Sequence, residues 1–212
     1  MSWDDLNEAH YDWPSPNEVR NYRDQVRATV DRIIRDTPLT LPIGWQDPFW
    51  VVLMGIEHER IHLETSSVLI RQQVLDWVAP HPDWTPCPVS GLAPENRLVD
   101  IPTGKVRLGR QFTDPWYGWD NEYGYHEAEV PAFRAARYLT SNGEFLPFVT
   151  AGGYSDDSLW DEEGLGWRRF AQARHPTFWV EDGDTWKLRL MAEEVSMPWD
   201  WPVETNCHEA RA

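Results

Sequence analysis

His58 and His62 are the residues of this chain whose type and spacing point most directly to chemistry, within Glu57-His58-Glu59-Arg60-Ile61-His62-Leu63-Glu64. Residues four apart on an α-helix lie about 40° apart around its axis, so both imidazoles can reach one metal ion. Three readings of the segment compete. His58-Glu59-Arg60-Ile61-His62 spells the HExxH pattern of zinc hydrolases, in which Glu59 would activate a zinc-bound water. One class of those enzymes continues with Gly and His where this chain has Thr65 and Val68. Another needs a carboxylate about twenty residues on, on a following helix, where this chain is rich in proline. A second reading adds Glu64 as a ligand. On an ideal helix Glu64 sits about 160° from His62, so it faces away from the metal side. An ion pair with Arg60 at (i, i+4), or a role in orienting a neighbour from outside the ligand set, suits it better. The third reading makes both histidines ordinary helix residues bonded to neighbours such as Thr65, Ser66 and Ser67. Two imidazoles from one helix form an incomplete site. With a third ligand from elsewhere and open positions left over, such a site suits non-haem Fe(II) better than a closed structural zinc.

The elements that must position the pair are legible as patterns. Ser15-Pro16-Asn17-Glu18 is a helix start with a capping box, and Val19, Tyr22, Val26, Val30, Ile33 and Ile34 keep helical spacing up to Thr37-Pro38. Asp47-Pro48 opens a second helix, which carries the histidines and runs to about Gln73. Between Ala79 and Asn96 five prolines exclude helix, and the stretch is expected to link two domains. Beyond it the texture is short strands and turns. One hairpin is expected around Pro102-Thr103-Gly104, with Val99 and Ile101 facing Val106 and Leu108. Another is expected around Asp182-Gly183, and Ser141-Asn142-Gly143-Glu144 should cap a short helix ending at Gly152-Gly153. Asn206-Cys207-His208-Glu209 is a further capping box close to the last residue. That position and the small surface two helices can bury suggest a portion of a longer protein.

Composition narrows the function classes. The 212 residues carry a net charge of −16, which disfavours nucleic acid and anionic membrane surfaces as partners. Cys87 and Cys207 make neither a disulfide framework nor a cysteine zinc site, and the expected compartment is the reducing cytoplasm. No stretch approaches the apolar length of a membrane span. Fourteen tryptophans, many beside Pro, Gly or Asp, suggest rings packed over irregular loops, with sugar stacking as the functional alternative. The remaining histidines, His10, His81, His126, His175 and His208, lie in loop-like or terminal contexts that suit structural or solvated roles.

The segment from Trp50 to Gln72 resembles the iron-binding helix of sulfoxide synthases, and more closely the ovothiol than the ergothioneine branch. The opening Met1 to Ser15 resembles the same branch. Gly118-Trp-Asp-Asn-Glu-Tyr123, Ser141-Asn-Gly-Glu-Phe145, Gly152-Gly-Tyr154 and Pro198-Trp-Asp-Trp-Pro-Val203 resemble the domain similar to formylglycine-generating enzyme that follows in this family. The resemblance implies an α+β chain. A partial DinB-like helical bundle would occupy residues 1–78, a proline-rich linker 79–97, and a partial C-type-lectin-related domain 98–212. It implies an Fe(II) enzyme that uses O2 to join the sulfur of cysteine to the imidazole ring of histidine as a sulfoxide. His58 and His62 match the two helix-borne iron ligands. The third histidine of the family would lie before Met1. Its active-site tyrosine, and the methyltransferase domain of many ovothiol synthases, would lie after Ala212. A zinc hydrolase and a non-enzymatic ligand-binding module are the alternatives.

Overall fold

The computed structural model describes residues 12–212, so most of the opening Met1 to Ser15 motif, and His10 with it, lies outside the described residues. Two long helices come first, α1 (Pro16–Asp36) and α2 (Pro48–Arg71). Ser15 caps α1 as its sequence predicts. Its hydroxyl accepts from the Glu18 amide at 3.3 Å, and the Glu18 carboxylate accepts from the Ser15 amide at 2.8 Å. The Ser15 hydroxyl, which donates to the Glu18 carboxylate at 2.7 Å, and then the Ser15 amide hold the Glu18 carboxyl below the usual carboxylate range. Asp47 performs the same service for α2, accepting from the Phe49 amide at 2.8 Å. Neither helix contains a buried residue, and the stripe of α1 from Val19 to Ile34 stays 39–69% exposed. Among the described residues no helix is long and apolar enough to cross a membrane.

The rest is built from short elements. Strands β1 (Leu98–Ile101), β2 (Gly104–Leu108), β3 (His126–Val130) and β4 (Phe133–Ala136) precede α3 (Asn142–Thr150) and α4 (Glu162–Ala171). Strands β5 (Trp179–Asp182), β6 (Thr185–Arg189) and β7 (Glu194–Ser196) and a last turn of helix, α5 (Cys207–Arg211), follow. The class is therefore α+β. The β5–β6 hairpin forms as expected, with Trp179 opposite Leu188 and Asp182 opposite Thr185. Gly183 supplies the φ of +62° that a two-residue connection of this kind requires. The hairpin expected around Pro102-Thr103-Gly104 does not form. Strand β1 pairs with β4, Ile101 opposite Phe133, while β2 pairs with β3. The physical reason is that pairing is decided by the partner strand: Pro102-Thr103-Gly104 suits a local turn, yet β1 and β2 each find a partner further along the chain, which a local turn pattern does not specify.

By their contacts the residues fall into two units, one containing residues up to Arg60 together with Leu108–His126, the other containing Ile61–Arg107 and Glu127–Ala212. In the second unit Trp179, Leu188 and Met197 form the core, each 2–6% exposed. The Trp179 indole donates to the Asn142 side-chain oxygen at 3.1 Å, and the Asn142 amide donates to the Pro198 carbonyl at 2.9 Å. Trp179 therefore packs with its polar edge satisfied, whereas Trp77 and Trp116 remain 77% and 74% exposed. The proline-rich stretch is tied down in the same unit. Asp200 accepts from Ser90 and from the Gly91 amide at 2.9 and 2.8 Å, and the Trp201 indole donates to the Val89 carbonyl at 2.8 Å. Those two donors hold the Asp200 carboxyl below its ordinary range.

A second buried polar contact carries a prediction. The Tyr154 hydroxyl donates to Glu209 at 2.6 Å, and both residues are buried. The other Glu209 oxygen accepts from the Asn206 amide at 2.8 Å, completing the cap of α5. Burial and then the adjacent carboxylate push the Tyr154 hydroxyl far above the usual phenol range. A folded-state value raised above the unfolded one means the contribution is complete below about pH 10 and is lost as pH rises further. Tyr154→Phe, which strands one Glu209 oxygen, is expected to lower urea stability at neutral pH by about 1–3 kcal/mol. In absorbance titration Tyr154 should ionise only as the protein unfolds. A tyrosinate signal that is complete near pH 10 in folded protein would contradict this.

Candidate metal centre

Helix α2 runs unbroken through the histidine pair, so His58 and His62 occupy successive turns of one face. Val51, Met54, Thr65 and Leu69 lie within about 40° of His58 around the axis, which makes the pair the polar centre of an otherwise mostly apolar stripe. Val51, Met54 and Leu69 are 62%, 41% and 61% exposed. The two histidines are exposed as well. Among the described residues no group of three or more His, Cys, Asp or Glu side chains forms a possible metal cluster. The donor set present is thus two imidazoles at a spacing that fits one ion, and it fits as part of a site.

The acidic neighbours behave differently from expectation in one respect. Arg60 does not pair with Glu64. It turns back one turn to Glu57, with Nη1 to Oε1 at 2.6 Å. The (i, i+3) geometry is as accessible as (i, i+4), and Glu57 is the more enclosed of the two carboxylates. Glu64 stays exposed on the side of α2 away from the histidines, and its backbone carbonyl accepts from Ser67 at 2.7 Å. The Thr65 hydroxyl donates to the Ile61 carbonyl at 3.1 Å, a local contact of the kind expected for it. Of the other histidines, His126 opens β3 and His208 lies on α5, where its ring stacks on Trp167 at 5.9 Å.

Aromatic residues crowd the start of α2, and sequence reading did not single them out. Trp50 meets Tyr117 at 5.1 Å between ring centroids, and Trp45 meets Trp50 at 5.4 Å and Tyr123 at 5.1 Å. The loop bringing Tyr117 and Tyr123 is organised by Arg110, whose guanidinium donates to the Trp116 and Tyr117 carbonyls. A Cβ at Gly118 would sit 2.7 Å from the Arg110 guanidinium nitrogen, so a larger residue there would have to displace that side chain. Burial and then the charge of Glu57 raise the Tyr117 hydroxyl above its ordinary value. A cavity of about 450 Å³ opens elsewhere, lined by Ser67, Arg71, Trp84, Cys87, Met191 and Trp201. Its α2 residues lie on the side roughly opposite the histidines.

Comparison with known proteins finds similarity over most of the chain. The DinB superfamily model matches residues 2–66, which include both histidines. The hercynine oxygenase of Mycolicibacterium smegmatis is 32% identical over 193 residues, covering 89% of this chain and 42% of that protein. That of Mycolicibacterium thermoresistibile is 29% identical over 200 residues, covering 92% of this chain and again 42% of the relative. Ergothioneine biosynthesis protein 1 of Neurospora crassa is 25% identical over 151 residues, or 65% of this chain and 17% of the relative. The chain thus spans less than half the length of these relatives. The similarity extends through the helices into the α+β part, and over most of its length the chain is similar to the hercynine oxygenases, with a DinB-like region at its start.

Proposed function

We propose that the protein containing these residues is a non-haem Fe(II), O2-dependent sulfoxide synthase that couples cysteine to histidine, giving 5-histidylcysteine sulfoxide. The observation that carries the reading is the His58–His62 pair on successive turns of α2, inside the region shared with the DinB superfamily. The reaction balances: the thiol and the imidazole C–H each give up a hydrogen, a C–S bond forms, one oxygen atom enters the sulfoxide and the other leaves as water. Iron(II), when bound, supplies the redox partner for O2 and open positions for substrate. The chain contributes two neutral imidazole donors and an apolar stripe around them, which would favour a site of low water content once covered. We assign iron binding to residues 1–78, with 79–97 as linker. Residues 98–212 are assigned to a domain similar to formylglycine-generating enzyme, whose tryptophan-bearing loops would limit water access.

The cysteine and histidine pair is inferred from the motifs of the ovothiol branch. The relatives are named a hercynine oxygenase and an ergothioneine biosynthesis protein, which favours a second reading in the ergothioneine branch; for that reading we take γ-glutamylcysteine with trimethylhistidine as the substrate pair. The test is mass spectrometry of products formed by the full-length protein with Fe(II) and O2. The expected product forms from cysteine and histidine. Product from the second pair alone would move the protein to the ergothioneine branch, and no thiol-dependent O2 uptake with either pair would overturn the assignment.

A further inference from the structure

Arg71 ends α2 on the side opposite the histidines, and four contacts hold it. Its Nη1 and Nη2 donate to the two carboxylate oxygens of Glu204, each at 2.7 Å. Its Nε donates to the Arg189 carbonyl at 2.6 Å, and the guanidinium lies 3.6 Å over the Phe178 ring. The side chain is 14% exposed. Arg189, on β6 and 8% exposed, returns the contact: its Nη2 donates to the Gln73 carbonyl at 3.2 Å and to the Met191 carbonyl at 3.3 Å. A cation thus sits where the helix ends and satisfies a carbonyl just beyond it, the charge arrangement the helix dipole favours. The strand residue that provides it also accepts from the helix. The two arginines close a reciprocal ring between the end of α2 and β6.

We propose that Arg71 is a positioning residue for the metal-binding histidines, fixing the rotation of the His62 end of α2 against β5 and β6. The proposal rests on the metal-site reading above. A planar fork bonded bidentately to one carboxylate, bonded along Nε to a carbonyl and stacked on a ring is fixed in every direction; an ammonium in its place is not. The nine residues from His62 to Arg71 span about 14 Å of stiff helix, so a small roll at Arg71 reaches the His62 imidazole. A misplacement of about 1 Å at a reacting group can lower a rate about 100-fold.

The test uses the full-length protein with Co(II) as a visible-absorbing probe of the site, together with steady-state kinetics and thermal melting. Arg71→Met keeps the stem over Phe178 and removes every hydrogen bond, Arg71→Lys keeps the charge, and Glu204→Gln removes only the carboxylate charge. The first two are expected to change the bound Co(II) spectrum and lower kcat about 10- to 100-fold, with KM for the thiol unchanged within about twofold. Glu204→Gln should give a smaller change of the same kind. The proposal is overturned if Arg71→Lys and Glu204→Gln shift only the melting temperature and leave the Co(II) spectrum and kcat unchanged. His62→Ala serves as the control. If it leaves the Co(II) spectrum unchanged, the metal site itself fails and the positioning role with it.

Discussion

Alanine at His58 or at His62 is expected to lower thiol-dependent O2 consumption by the full-length protein at least about 100-fold. Loss of a group that merely orients a metal ligand commonly costs 10- to 100-fold, and loss of the ligand itself should match or exceed the upper end. Glu59→Gln should stay within about threefold of the parent. Glu59 lies about 100° around the helix from His58, and the coupling asks no proton transfer of it. In a zinc hydrolase Glu59 would be the general base, and its loss would cost about 10²- to 10⁴-fold. The three variants together therefore separate the two chemistries. All three positions are exposed, so their effects on stability should fall within about 0.5 kcal/mol. A melting curve guards against misfolding as the cause. Equal loss in all three variants, or loss only in Glu59→Gln, would reverse the assignment.

The second large effect is structural. Trp179→Ala should destabilise the second unit by about 3–5 kcal/mol. Trp179 is 2% exposed and meets Trp186 and Trp199 with ring centroids 5.3 and 5.9 Å away. Its removal leaves a cavity and also strands the Asn142 side-chain oxygen, in a residue 1% exposed. Against a total stability of about 5–15 kcal/mol, such a loss is a large fraction of what holds a domain folded. Trp116, 74% exposed, is the matched control, and Trp116→Ala should change stability by about 0.5 kcal/mol or less. Urea denaturation followed by far-ultraviolet circular dichroism measures both. A loss below about 1 kcal/mol for Trp179→Ala would mean that the core does not depend on this ring.

Local chemistry made much of the architecture legible. Ser15, Asp47, Ser141 and Asn206 act as caps because a side-chain oxygen at a helix start satisfies amides within the next three residues. Gly183 likewise announces its own turn. The missed pairing of β1 with β4 and of β2 with β3 depends on partners some 20 to 40 residues away, which no local pattern specifies. Helix α4 was not anticipated because Gly164 and Gly166 weaken its propensity, although Asp161 caps it at 2.7 Å. At the candidate site the sequence exposes the histidine pair through its period of four. It is silent on Trp50 against Tyr117 and on Arg71 against Glu204, contacts that only the folded chain brings together. The Arg60–Glu57 pair shows the same limit at short range, since two acidic partners at helical spacing compete and enclosure decides between them.

The most direct test of the central claim is an anaerobic Fe(II) titration of the full-length protein and of its His58→Ala, His62→Ala and Glu59→Gln variants. The account predicts one tightly bound equivalent in the parent and in Glu59→Gln, and binding at least about 100-fold weaker in each histidine variant. Parent-like Fe(II) affinity in both histidine variants would contradict it.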